Sequence, residues 1–130
     1  MKLLLDTHVF LWYISADQQL PIAFRDAIRD PANEVYLSVA SVWEAVIKYA
    51  LGKLPLPETP AVYLPQQREA HRIMTLPIEE SALTHLAALA PLHRDPFDRI
   101  LIAQSLQHRL TLVTMDDAIR AYSIALLPAQ

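Results

Sequence analysis

The sequence predicts a single α/β domain, residues 1–130, with a mostly parallel sheet covered by helices on both faces. Short apolar runs alternate along the chain with longer helical patterns, an order that builds parallel sheets through crossover connections. No linker, repeat or low-complexity stretch divides the 130 residues, and a chain of that length buries roughly two thirds of its unfolded surface around one core.

Residues 2–5 read as the first strand and 7–14 as the helix after it. Residues 21–29 follow as a helix with Pro21 at its opening position, where the missing N–H costs nothing. Residues 34–37 form the second strand. A helix over 41–51 comes next, closed by Gly52, the only glycine, in a left-handed cap. Residues 53–57 are a stiff loop held by Pro55 and Pro57. Thr59-Pro60 then opens another helix by the cap-then-proline signature. Residues 73–76 form the third strand, 79–90 and 96–109 two helices, 110–113 the fourth strand, 117–122 a short helix and 124–126 an edge strand.

Composition narrows the chemistry. With no cysteine, the chain has neither disulfides nor thiolate zinc sites, and its five histidines show no His-x-His or His-Glu-x-x-His spacing. Any bound metal is therefore expected on oxygen ligands. A net charge of −3 argues against coating nucleic acid through bulk positive charge, but Lys48, Lys53, Arg94 and Arg99 remain available to recruit phosphate locally. Apolar residues make up 53% of the chain, enough to leave surplus surface for a partner or a second copy. No apolar run approaches the ~20 residues that span a bilayer, and the N-terminal apolar stretch turns acidic at Asp6, so a cytoplasmic protein without membrane contact is expected.

In a parallel α/β sheet, ligands bind along the edge formed by the carboxyl ends of the strands. Asp6 directly follows the first strand, and Asp116 follows the fourth after Thr114-Met115. Glu44 lies in the first turn of the helix leaving the second strand. Asp98 opens the helix that feeds the fourth strand, and a helix feeding a parallel strand also starts at that edge. Topology thus steers four acids toward one place. Crowded carboxylates raise one another's pKa and are costly without a cation, and oxygen-only ligands select hard ions.

Each acid also has a purely structural role open to it. Asp6 and Asp116 could be helix caps, the commoner use of aspartate at a strand–helix junction. Asp95-Pro96-Phe97-Asp98 has the form of a cap, a proline at the first helical position and an acid facing the helix dipole. Ser41 and Glu44 match a capping box, and Glu44 could pair with Lys48 one turn on. The helix carrying Glu44 is apolar almost all round, which predicts burial and therefore a partner for the glutamate.

Taken together, the motifs resemble a known family. The opening Leu3-Leu4-Leu5-Asp6-Thr7-His8-Val9-Phe10-Leu11-Trp12, the middle Ser38-Val39-Ala40-Ser41-Val42-Trp43-Glu44, the run His93-Arg94-Asp95-Pro96-Phe97-Asp98-Arg99-Ile100-Leu101-Ile102-Ala103-Gln104 and the late Leu112-Val113-Thr114-Met115-Asp116 resemble PIN-domain ribonucleases of the VapC toxin type, in the right order over essentially the whole chain. The resemblance implies a PIN-like three-layer α/β/α fold around a five-stranded parallel sheet. It also implies an Mg²⁺- or Mn²⁺-dependent endoribonuclease that acts as the toxin of a toxin–antitoxin pair. Carried over by motif, Asp6, Glu44, Asp98 and Asp116 are the catalytic and metal-binding acids. Thr7 and Thr114 look like hydroxyl supports, and Asp95 is either a supporting acid or only a cap. An RNA substrate, a cognate antitoxin and a homodimer are the partners this implies. Trp12, Tyr13, Tyr63 and Leu64 are either contact surface or core. Two other readings stay open: a non-catalytic binding module whose acids only cap helices, and a phosphatase with Asp6 as nucleophile, which wants a second aspartate where this chain has His8.

Overall fold

A computed structural model describes residues 1–130. Four strands, β1 (Lys2–Leu5), β2 (Glu34–Ser38), β3 (Met74–Leu76) and β4 (Thr111–Val113), form one parallel sheet in the order β3-β2-β1-β4. Strand β1 is interior, with Leu4 opposite Tyr36 on one side and Leu112 on the other. Side chains alternate across a strand, so a strand covered on both faces needs an unbroken apolar run. Leu3, Leu4 and Leu5 supply it and are all fully buried.

The sheet separates two cores. Leu3 and Leu5 pack with Val9 and Phe10 of α1 (Thr7–Ile14), Phe24 and Ile28 of α2 (Ile22–Arg29), Ala45 of α3 (Val39–Ala50) and Leu64 of α4 (Pro60–Ala70). On the other face Leu4 meets α5 (Ala82–Ala88), α6 (Pro96–His108) and α7 (Asp117–Arg120) through Ala82, Leu101 and Ile119. The three-layer α/β/α arrangement is the one expected. Leu64 is core, while Trp12, Tyr13 and Tyr63 are partly buried against it.

Three expectations need correction. The sheet has four strands, and the edge strand expected at 124–126 is only a single parallel bridge between Leu112 and Leu126. Only Leu112 bonds that segment, donating to the Ala125 carbonyl at 2.9 Å and accepting from the Leu127 N–H at 3.1 Å, so the pairing does not extend into a ladder. Helix α3 begins at Val39 rather than Ser41, because Ser38 takes the cap and its hydroxyl accepts the Ala40 N–H at 3.0 Å. The Ser41–Glu44 capping box therefore does not form, and Glu44 sits in the second turn. Finally, α3 is not buried all round. It packs on α1, α4 and α6 and leaves the opposite face bare, with Trp43 56% exposed and Val39, Val46 and Ile47 exposed beside it.

Gly52 does cap α3 in the left-handed region, at φ 71°, with the Lys53 N–H returning to the Lys48 carbonyl. Ala16, Arg72 and Arg109 take the same left-handed conformation after α1, α4 and α6 without being glycine. A Cβ makes that conformation unfavourable, whereas glycine adopts it freely but gives up more entropy on folding. Arg72 is exposed and in no ion pair. Arg72→Gly should therefore raise stability by about 0.5–1 kcal/mol, or about 2–4 °C in thermal midpoint, measured by calorimetry.

Candidate active site

The carboxyl edge concentrates the buried polar side chains of the molecule: Asp6, Thr7, Ser41, Glu44, Asp98 and Thr114 are all buried there. The ends of β1 and β4 are tied by the Asp6 N–H bonding the Val113 carbonyl at 3.0 Å, which sets Asp6 beside the loop carrying Thr114 and Asp116.

Asp6 occupies the cap position of α1, yet its side chain makes no cap hydrogen bond. It accepts a proton from Thr114 Oγ1 at 2.9 Å instead. Burial pushes its pKa up; Thr114 and His8 pull it down, and Glu44 and Asp116 raise it further. Capping alone therefore does not account for Asp6. Thr114 Oγ1 also accepts the Asp116 N–H at 3.0 Å, so one buried hydroxyl joins two of the acids. Asp116 does cap its helix, with Oδ1 accepting the Ala118 N–H at 2.9 Å.

Glu44 is 2% exposed and held at both oxygens. Oε1 accepts from Thr7 Oγ1 at 2.8 Å and Oε2 from Lys48 Nζ at 2.5 Å. Thr7 has one hydroxyl proton, which goes to the carboxylate, so Ser41 supplies the proton in its 2.9 Å contact with Thr7. Both threonines thus bond carboxylates of the group. Burial works against the charge on Lys48, but Glu44, with Asp95 and Asp98, outweighs it and raises its pKa. The predicted pairing of Glu44 with Lys48 is present, and it coexists with the acid group instead of replacing it.

Asp98 is 7% exposed in the first turn of α6, where Asp95 Oδ1 caps the helix by accepting from Phe97 N at 2.9 Å. Asp95 is the cap of α6, and its charge also acts on Asp98 and Lys48. Burial drives the Asp98 pKa to about 7; the His93 hydrogen bond opposes this, while Asp6, Asp95 and Glu44 add to it.

Sequence reasoning missed His93 because it weighed histidines only for zinc spacing. His93 Nε2 lies 2.8 Å from Asp98 Oδ2, and donor atoms of His93, Asp98 and Asp116 lie within 4.8 Å of one another. The expectation of oxygen atoms alone around a metal thus meets a nitrogen at the rim of the group. The available signal was its position in the loop before the Asp95 cap. Arg99, by contrast, is turned to the loop through Nη1, which bonds the Ala90 and His93 carbonyls and the Tyr122 hydroxyl.

The arrangement suits a divalent ion. Asp6, Glu44, Asp98 and Asp116 couple electrostatically at one edge, Lys48 is the one cation bonded to them, and two of the four are pushed toward the protonated form. An oxygen-rich group short of positive charge fits Mg²⁺ or Mn²⁺.

Residues 3–125 match the profile of the PIN domain family. The chain belongs to the PIN-domain family. Ribonuclease VapC22 of Mycobacterium tuberculosis is 30% identical to this PIN domain over 120 residues, covering 92% of it and 90% of VapC22. Ribonuclease VapC16 of the same organism is 38% identical over 64 residues, 49% of this chain and 45% of that protein. Among solved structures, VapBC-1 from nontypeable Haemophilus influenzae superposes with a TM-score of 0.72 at 19% identity, over 99% of this PIN domain and 98% of the matched chain. A toxin–antitoxin complex from Klebsiella pneumoniae gives 0.63 at 17% identity, over 98% and 97%. At those identities the structures speak for the fold.

Proposed function

We propose that this PIN domain is a divalent-metal-dependent endoribonuclease that acts in the cytoplasm as the toxin of a toxin–antitoxin pair. The observation that carries this is the four-acid group at the carboxyl edge, in a chain whose relative along nearly its whole length is a ribonuclease. No helix is long and apolar enough to cross a membrane. Asp6, Glu44, Asp98 and Asp116 would hold Mg²⁺ or Mn²⁺. A bound ion supplies Lewis acidity, lowering the pKa of an attacking water and neutralising charge on the scissile phosphate.

The chain's own part is to keep the carboxylates oriented and close. Thr114 fixes one oxygen of Asp6, Thr7 and Lys48 fix both oxygens of Glu44, and the sheet edge holds the groups together without loop motion. Cleavage of a mixed-sequence single-stranded RNA by purified protein tests the reading, with Mg²⁺, Mn²⁺ or chelator. Metal-dependent cutting, with a thermal midpoint raised by either ion, is expected; no cutting and no stabilisation would favour a non-catalytic module.

An antitoxin is the proposed regulatory partner, supported by structural neighbours such as the Klebsiella pneumoniae complex. A second copy of this chain is proposed on the bare face of α3. There Trp43 stacks edge-to-face on Phe97 at 4.9 Å, next to exposed Ile78 and Leu83, in a groove with almost no polar lining. Such a face suits an isologous contact better than a phosphate backbone. Trp43→Glu should weaken dimerisation at least ~30-fold, the effect of losing an aromatic anchor worth about 2 kcal/mol, as read by analytical ultracentrifugation.

A further inference from the structure

We propose that His93 is a positioning residue for Asp98, a neutral hydrogen-bond donor mounted on a clamped loop, and not itself a ligand of the metal. The inference rests on the functional reading above and adds a residue to it. His93 Nδ1 accepts the Arg94 N–H at 3.1 Å. A ring nitrogen that accepts carries no proton, so the proton of the neutral imidazole is on Nε2, facing Asp98 Oδ2 at 2.8 Å. For Nε2 to bind an ion, that proton would have to move to Nδ1, where it would meet the Arg94 N–H donor to donor. The close set of donor atoms on His93, Asp98 and Asp116 is therefore a carboxylate pair with a hydrogen-bond donor beside it.

The loop that carries His93 is built to hold it. Pro91, Leu92 and Arg94 are exposed, and His93 alone of residues 91–94 turns inward. Its backbone is fastened on both sides. The N–H donates to the Tyr122 hydroxyl at 3.0 Å, and the carbonyl accepts from Arg99 Nη1 at 3.2 Å. Tyr122, 7% exposed, also donates to the Ala90 carbonyl at 2.8 Å and accepts from Arg99 at 3.1 Å. A segment without helix or strand thus makes four hydrogen bonds with two side chains that are bonded to each other, and the one residue it presents inward is the imidazole. With Oδ2 bonded to His93, the Asp98 carboxylate keeps Oδ1 for an ion, and the same bond opposes burial in keeping the group ionised.

Calorimetric titration with Mn²⁺ alone tests this on wild type, His93→Ala, His93→Gln, Tyr122→Phe and Asp98→Asn, each checked for native circular dichroism. His93→Ala should weaken Mn²⁺ binding about 10- to 100-fold, the usual cost of losing a partner that orients a ligand. His93→Gln, whose amide can donate from nearly the same place, should recover most of it, and Tyr122→Phe should lose a few-fold by loosening the loop. Pulsed EPR of the bound Mn²⁺ should show no directly coordinated imidazole nitrogen in the wild type. Unchanged affinity in His93→Ala beside lost affinity in Asp98→Asn would overturn the inference and leave the metal site standing. So would a ¹⁴N coupling that vanishes in His93→Gln, or a glutamine no better than alanine. A wild type that binds no Mn²⁺ would overturn the functional reading with it.

Discussion

Asp6→Asn should reduce metal-dependent RNA cleavage about a thousandfold, some 4 kcal/mol of transition-state stabilisation, while leaving the fold intact. Asparagine fills the same volume and keeps an oxygen to accept the Thr114 proton now received at 2.9 Å, so packing at the β1–β4 junction should survive. What disappears is a buried negative charge beside Glu44 and Asp116, whose repulsion helps push Asp6 toward its protonated form. The metal-free variant should therefore melt slightly above metal-free wild type, while Mg²⁺ or Mn²⁺ should stabilise it less. Cleavage assays and paired thermal melts read the two effects separately. Full activity in the variant would remove Asp6 from the mechanism, and a large drop in metal-free stability would mean that its main role is structural.

The second large effect is a loss of stability with rising pH in metal-free protein. Asp98 ionises near 3.8 in an unfolded chain and at about 7 in the folded one. Between those values the folded state holds a proton that the unfolded state has released, so the contribution is complete below pH ~4 and is lost as pH rises through ~7. Three units correspond to about 4 kcal/mol, and solvent screening at the mouth of the group reduces this to about 1–2 kcal/mol. Asp6, also raised, acts in the same direction. Metal-free wild type should lose about that much stability in denaturant titrations between pH 4 and pH 8. Asp98→Asn should lose less, and saturating Mn²⁺ should flatten the wild-type curve. A wild-type curve that rises over that interval would contradict the raised values.

Much of this was legible in the sequence because topology does the gathering. Once residues 2–5 and 110–113 are parallel neighbours, Asp6 and Asp116 must share an edge, and a helix feeding β4 must start there with Asp98. Helix boundaries were less legible at α3, where Ser38 and Ser41 both look like caps and only the direct continuation from β2 selects Ser38. The bare face of α3 was misread because an apolar helix surface looks the same whether it is covered by its own chain or by another. The partners of the acids were the least legible. Thr7 with Glu44 spans 37 residues and Thr114 with Asp6 spans 108, distances at which local pattern says nothing of hydroxyl direction. His93 was hidden differently, since its part depends on which ring nitrogen bears the proton, and that is set by a backbone N–H one residue away.

The strand order has a consequence for synthesis. Because β1 lies between β2 and β4, the first strand made cannot be enclosed until almost the last is available, and Thr114 and Asp116 arrive later still. During translation at about 5–20 residues per second, an emerging chain carries Asp6, Glu44 and Asp98 without the segment that aligns them. On the proposed reading, a growing or prematurely terminated polypeptide lacks the complete acid group, and cutting of the message that encodes it is expected only once the segment carrying Thr114 and Asp116 docks against β1.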